Sequence, residues 1–131
     1  MKIRELMHHH PITIQRDATV ETAARLLEKL DVRHLPVLDG TKLIGMVSDR
    51  DLAGVLYRDP LASDTKTPRL EELIESDVVS IRPNASVREG IDLITERRVG
   101  ALPVVDDGHV LVGIVSYVDV LRELASTLQE A

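Results

Sequence analysis

Residues 35–51 read LPVLDGTKLIGMVSDRD, and residues 102–119 read LPVVDDGHVLVGIVSYVD. Both stretches begin with Leu-Pro-Val, carry an Asp-Gly pair and end with Ser-x-x-Asp. The second copy follows the first by 67 residues at its start, and by 68 at its end because it is one residue longer. Such a repeat indicates that the chain consists of two copies of one structural unit.

The duplication extends upstream, where Thr13-Ile14 matches Ser80-Ile81 and residues 17–20 match residues 84–87. Apolar periodicity, Asp-Gly turns and Ser or Thr caps predict the same elements in both copies. The predicted elements are helical turns at 3–7 and 70–74, strands at 12–14 and 78–81, helices that follow the caps Thr19 and Ser86, hairpins of 35–38 with 43–47 and of 102–105 with 110–115, and final helices at 49–57 and 117–128.

Each copy is therefore predicted to run helical turn, strand, helix, strand, strand, helix. This order makes a small three-stranded mixed sheet with helices on one face, so the predicted fold class is α+β. The first repeat covers residues 1–57, a proline-containing linker covers 58–69, and the second repeat covers 70–131. A repeat of about 60 residues is marginally stable alone, so we expect the two repeats to pack together.

The composition excludes several classes of function. The net charge is −6, whereas binding to nucleic acid or to anionic membranes needs a basic face. The absence of cysteine excludes a disulfide framework, a thiol nucleophile and a thiolate metal site. No apolar run approaches the ~20 residues of a spanning helix. We expect a soluble, cytoplasmic protein without a nucleic-acid or membrane partner.

Two copies of this element order, with Leu-Pro-Val in the middle strand and Gly-x-Val-Ser-x-x-Asp before the last helix, resemble a cystathionine β-synthase (CBS) domain pair, or Bateman module. The resemblance covers residues 1 to about 124. It implies two sheets packed face to face with pseudo-two-fold symmetry, and two clefts between the repeats. It also implies that these clefts bind adenosyl ligands such as AMP, ADP, ATP, S-adenosylmethionine or NAD, and that two pairs form a homodimer.

The Ser-x-x-Asp ends are the main candidates for ligand contacts. Ser48 and Asp51 stand where a strand passes into a helix, and backbone N–H groups at a helix start favour an anion. A carboxylate offers two acceptor oxygens to the two adjacent hydroxyls of a ribose. Ser116 and Asp119 repeat the spacing. The same pattern is also a helix cap, and both interpretations can hold together.

The resemblance places basic residues next to ligand phosphates at Arg33 and His34. Arginine can bind a phosphate through two hydrogen bonds, and a protonated histidine adds charge. The second repeat has Gly100 and Ala101 at these positions. We therefore expect tighter nucleotide binding at the Ser48 site. The alternative is a solvated basic pair at a strand end.

The resemblance also implies that each adenine is held by residues of the other repeat. Plain core packing is the alternative role for every apolar member of these sets. For the site of Ser48 and Asp51, the implied residues are Ile74, Asp77, Val79 and Val99. For the site of Ser116 and Asp119, they are Met7, His10, Ile12 and Val32.

Metal binding and catalysis are not expected. The run His8-His9-His10 lacks a further ligand at a suitable spacing, and consecutive side chains point in different directions. The sequence contains neither a Gly-x-Ser-x-Gly elbow nor a phosphate-binding Gly-x-x-x-x-Gly-Lys-Ser/Thr loop. We expect no enzymatic activity and no catalytic cofactor. Mg²⁺ is expected only together with bound ATP.

The sequence thus favours a regulatory module that senses adenine nucleotides, and hence energy state, and signals to an unidentified partner protein. The C-terminal helix carries an apolar stripe at Leu121, Leu124 and Leu128 that belongs either to the core or to a dimer interface. Two alternatives remain open. One is a structural interaction module with empty clefts, and the other is a binder of S-adenosylmethionine, NAD or a divalent cation.

Overall fold

The structure, a computed structural model, describes residues 1–56, 68–74 and 78–128. Residues 58–67 of the predicted linker, which covers 58–69, and the site candidate Asp77 lie outside these residues. The chain divides into two compact units. The first unit is Ile12–Val78, and the second unit combines Met1–Pro11 with Val79–Ala131.

The described elements follow the predicted order closely. No helix in the described part of the chain is both long enough and apolar enough to cross a membrane. In chain order the elements are α1 (Ile3–Leu6), β1 (His8–His9), β2 (Ile14–Gln15), α2 (Val20–Leu30), β3 (His34–Asp39), β4 (Lys42–Ser48), α3 (Asp49–Leu56), a 3₁₀ turn (Leu70–Glu72), α4 (Val87–Arg97), β5 (Ala101–Val105), β6 (Leu111–Ser116) and α5 (Tyr117–Thr127).

The first unit contains the predicted mixed sheet, in the order β2-β3-β4. Strand β2 runs parallel to β3, and β3 and β4 form the antiparallel hairpin. Helix α2 begins where predicted, because the Thr19 hydroxyl accepts the Thr22 N–H at 3.2 Å. Its buried face (Val20, Ala23 and Leu27) packs in the same core as the sheet.

Strand β2 begins two residues later than predicted. Ile14 pairs with Val37 in the parallel register, and Arg16 donates its N–H to the Leu38 carbonyl at 2.9 Å. Extending the ladder back to Ile12 would require an N–H from Pro36, which has none. The proline that marks the repeat therefore also sets the start of the strand.

The second unit has a different sheet, in the order β1-β6-β5 with antiparallel pairs only. The strand predicted over 78–81 is wrong, because only a single parallel bridge joins Ile81 to Val104. Pro83 occupies the position of Arg16 and cannot donate the next ladder hydrogen bond. The third strand is instead β1, at His8–His9, where the sequence predicted a loop.

The helical turns are exchanged between the units relative to the sequence repeat. Ile3 of α1 is fully buried in the second unit, and its N–H donates to the Ala85 carbonyl at 2.9 Å. Leu70 of the 3₁₀ turn is fully buried in the first unit, and its N–H donates to the Ala18 carbonyl at 2.8 Å. Each unit is thus completed by a turn from the other sequence repeat.

Helices α2 and α4 both end on a residue in the left-handed conformation, which allows a direct prediction. Asp31 has φ 52° and Arg98 has φ 54°. Arg98→Gly should raise the free energy of unfolding by about 1 kcal/mol. The left-handed conformation costs an L-residue roughly 1–2 kcal/mol, which glycine avoids, and the greater entropy of glycine in the unfolded chain offsets part of this gain. Urea denaturation measures this change. Arg97→Gly is the matched control, and it should destabilise because Arg97 is still helical.

Candidate functional site

In the first unit, the Ser48 and Asp51 pair forms a closed cap at the start of α3. The Ser48 N–H donates to Asp51 Oδ2 at 3.0 Å, and the Asp51 N–H donates to Ser48 Oγ at 3.1 Å. The capping interpretation is therefore confirmed. The same bonds hold the Asp51 carboxylate at the helix start, where the peptide dipoles favour negative charge.

The basic residues Arg33 and His34 are fixed next to this cap. His34 lies opposite Ser48 in the hairpin register, and the Asp49 N–H donates to the Arg33 carbonyl at 3.1 Å. Partial burial lowers the pKa of His34, and Arg33 lowers it further, against the opposing effects of Asp49 and Asp51. His34 is therefore neutral near pH 7, and a bound anion would favour its protonation.

Ile74 lies in the same unit, packed over β4. A Cβ built on Gly45 would lie 2.6 Å from Ile74 Cγ2, so the absence of a side chain at this position allows the close approach. The structure thus brings Ile74 to the strand that ends at Ser48. Val79 and Val99 belong to the second unit, and their assignment to this site remains a prediction.

The second unit repeats the cap with Ser116 and Asp119. Asp119 Oδ2 accepts the Ser116 N–H at 2.8 Å and the Ser116 hydroxyl at 3.0 Å. The Asp119 N–H lies 3.3 Å from Ser116 Oγ. The backbone around it is also the same, since the Tyr117 N–H donates to the Gly100 carbonyl at 3.1 Å. The two caps therefore share their backbone hydrogen bonds, the second adds a bond from the Ser116 hydroxyl to the carboxylate, and the side chains beside them differ.

His8 is a residue of this second cap that the sequence did not predict. Its Nε2 lies 2.8 Å from Asp119 Oδ1. Burial alone would raise the pKa of Asp119, but the hydrogen bonds from the Ser116 backbone, from His8 and from the Ser116 hydroxyl together lower it. The contact joins residues 111 positions apart, so no local pattern could have revealed it.

The other predicted residues of this site divide between the units. Met7 packs over β6, because a Cβ on Gly113 would lie 2.6 Å from its Sδ. His10 is exposed and has φ 53°. Ile12 and Val32 belong to the first unit, so their assignment to this site remains a prediction. Met7 therefore takes the position over β6 that Ile74 takes over β4.

A cavity of about 350 Å³ in the second unit does not include either cap. Among the described residues, no three His, Asp, Glu or Cys side chains cluster in an arrangement that could hold a metal ion. The capped carboxylates are therefore the best-defined chemical features of the described residues. The cavity is lined by Ser80, Ile81, Arg82, Ala85, Glu89 and Leu93.

The sequence profile of the CBS domain matches residues 3–58 and 70–126. The chain belongs to the CBS domain family. The predicted resemblance to a CBS domain pair is confirmed, and so is the α+β fold class.

The CBS domain relatives include both small proteins and larger enzymes. The CBS domain-containing protein YhcV of Bacillus subtilis is 32% identical over 117 residues, which are 89% of this chain and 81% of YhcV. The inosine-5'-monophosphate dehydrogenase of Methanocaldococcus jannaschii is 30% identical over 122 residues, or 92% of this chain. The chain spans only 23% of the length of that enzyme.

Two solved CBS domain structures contain adenosyl ligands. The CBS domain pair of protein MJ0100, in complex with 5'-methylthioadenosine and S-adenosyl-L-methionine, matches with a TM-score of 0.84 and 27% identity over 98% of both chains. CBSX2 in complex with AMP also has a TM-score of 0.84, with 26% identity over 95% of this chain and 96% of its own.

Proposed function

We propose that this chain is a regulatory module that binds an adenine nucleotide, AMP, ADP or ATP, at Ser48 and Asp51. The observation that carries the proposal is the closed cap at the start of α3 with Arg33 and His34 directly beside it. Related CBS domain pairs that hold AMP, S-adenosyl-L-methionine and 5'-methylthioadenosine support an adenosyl ligand.

The ribose would be recognised by the Asp51 carboxylate. The Ser48 N–H binds Oδ2 and orients the group, so little side-chain freedom remains to be lost when a ligand arrives. A carboxylate oxygen has two lone pairs and can accept a ribose hydroxyl in addition to a backbone N–H. Helix capping and ribose binding are therefore compatible in one residue.

The phosphate would be recognised at Arg33 and His34. Arg33 is exposed, and its charge acts on His34 together with the charges of Asp49 and Asp51. The second unit has the same backbone contact at Gly100 but no cationic side chain there. This difference supports phosphate-bearing ligands at the first cap in preference to the second.

Signalling would proceed by population shift, in which the ligand stabilises one conformation or dimer geometry that a partner protein recognises. An exposed apolar stripe on α5 supports a protein contact, and we propose that it mediates the homodimer. The same stripe favours a second candidate function, an interaction module that works without a ligand. The stripe consists of Tyr117, Leu121, Leu124 and Leu128, which are 45–66% exposed.

Calorimetric titration with AMP, ADP, ATP, S-adenosylmethionine and NAD tests the proposal. Saturable binding that weakens when the phosphate is absent is the expected result. A preference for S-adenosylmethionine would argue against the phosphate contact at Arg33. Flat titrations with every ligand, on folded protein free of bound nucleotide, would leave the interaction module as the better explanation.

The neutral state of His34 predicts that AMP binding depends on pH. The pKa of the free protein's His34 is lowered, and the phosphate should raise it, so binding takes up a proton. Affinity should therefore rise as the pH falls from about 8 to about 6.5. Calorimetry measures the AMP affinity of the wild type and of His34→Ala at each pH. Because the phosphate of AMP titrates equally in both experiments, the difference between the two proteins reports on His34. Equal pH dependence in both proteins would contradict the prediction.

A further inference from the structure

Both carboxylate oxygens of Asp119 are engaged within the second unit. Oδ2 accepts two hydrogen bonds from Ser116, and Oδ1 lies 2.8 Å from His8 Nε2. The Asp119 side chain is only 11% exposed, whereas the His8 side chain is 66% exposed. The imidazole therefore covers the side of the carboxylate that Ser116 leaves open.

The first cap has the same two backbone hydrogen bonds between its serine and its aspartate, but a different residue stands at the sequence position that matches His8. The residue 67 positions after His8 is Glu75, which lies outside the described residues. An ionised glutamate has no proton to donate to a second carboxylate. The first repeat therefore has no histidine at the sequence position that matches His8.

The backbone of His8 is held firmly, but its ring has room to move. His8 pairs with Ile114 of β6, and the preceding Met7 packs over Gly113. Upstream, the buried Ile3 anchors α1 in the core of the second unit. Because the ring is largely exposed, rotation of its side chain would release Asp119 without disturbing these contacts.

We propose that His8 is a latch that competes with the ribose of a ligand for Asp119. This inference rests on the proposed function, since it concerns the second copy of the same Ser-x-x-Asp site. The imidazole covers the open side of Oδ1, so a ligand must displace it before a hydroxyl can reach that oxygen, and the latched fraction lowers the apparent affinity. The cap at Ser48 and Asp51 therefore fills first, and the second site responds only at higher ligand concentration.

Other roles of His8 would change the ligand affinity differently when the side chain is removed. If His8 donated a hydrogen bond to the ligand itself, its removal would weaken binding. If it only stabilised the fold, its removal would lower the unfolding midpoint and leave affinity unchanged. The sign of the affinity change therefore separates a latch from a ligand contact and from a structural residue.

The experiment is calorimetric titration with AMP in an Asp51→Ala background, which isolates the second site. His8→Ala should tighten binding about two- to fivefold, the effect of losing a partly exposed histidine–carboxylate contact that competes with the ligand. His9→Ala is the matched control, since His9 is the exposed neighbour in β1, and it should leave affinity unchanged. Unchanged or weaker binding in His8→Ala would overturn the latch.

A second measurement separates failure of the latch from failure of the proposed function. Absence of AMP binding in the wild type and in every variant would overturn the proposed function. The contact would then be judged by carbon-13 titration of the Asp119 carboxyl, whose pKa should rise in His8→Ala and stay unchanged in His9→Ala. An unchanged Asp119 pKa in His8→Ala would overturn the latch independently of any ligand.

Discussion

Asp51→Ala should lower the affinity for AMP by about 10- to 100-fold, the effect of removing a charged hydrogen-bond acceptor from bound hydroxyls. The expectation follows from the closed cap, in which Ser48 fixes the carboxylate in place. Calorimetric titration of the variant against the wild type measures the change. A loss of the same size is expected for adenosine, because the contact of Asp51 is to the ribose and not to the phosphate.

Two controls separate ribose recognition from charge and from capping. Asp49→Ala removes the same charge from the same helical turn, and it should leave adenosine binding within about twofold. Asp51→Asn keeps one acceptor oxygen for the Ser48 N–H, so the cap survives while the negative charge is lost. Equal affinity of Asp51→Ala and wild type would show that the carboxylate is a cap alone.

Ile3→Ala should destabilise the protein by about 3 kcal/mol. Ile3 is fully buried in the second unit with Ile81, Leu102 and Val115. Gly90 of α4 makes room for it, since a Cβ there would lie 2.8 Å from Ile3 Cδ1. The large cost follows from the cavity that alanine would leave in this packed interior.

Urea denaturation followed by circular dichroism measures this loss. Ile12→Ala is the matched control, because it removes the same atoms from a side chain that is 42% exposed. The control should cost less than about 1 kcal/mol. If the two variants lost equal stability, the packing of α1 in the second unit would not contribute as described.

The sequence predicted the helices and hairpins well because their signals are local. Gly40 lies in the turn between β3 and β4, and the Asp107-Gly108 pair lies in the turn between β5 and β6. The cap Ser86 accepts the Glu89 N–H at 3.1 Å. These features depend on a few neighbouring residues, so periodicity and turn chemistry suffice to find them.

The short strands could not be predicted in the same way, because their partners set them. Strand β1 has two residues and exists through pairing with β6. The ladder at Ile81 stops after one bridge because Pro83 lacks an N–H, whereas Arg16 continues the ladder in the first unit. The prolines and the strand residues can be read from the sequence. The register in which the strands pair, which decides whether a proline interrupts the ladder, cannot.

The candidate site was predictable to the extent that it repeats. The doubled Ser-x-x-Asp spacing located both caps. The family resemblance pointed to Ile74 and Met7, which pack over β4 and β6, the strands that end at the two caps. The contact between His8 and Asp119 has no counterpart in the repeat and joins distant residues. It could be found only from the folded arrangement.

The exchange of helical turns also has a consequence for the order of biosynthesis. Ile3 is synthesised before its core partners Leu102, Val104 and Val115, and the whole first unit lies between them in the sequence. The first unit is one continuous stretch and can close its core while the rest of the chain is still being made. Helix α1 must therefore remain without its core partners while the first unit is synthesised and folds.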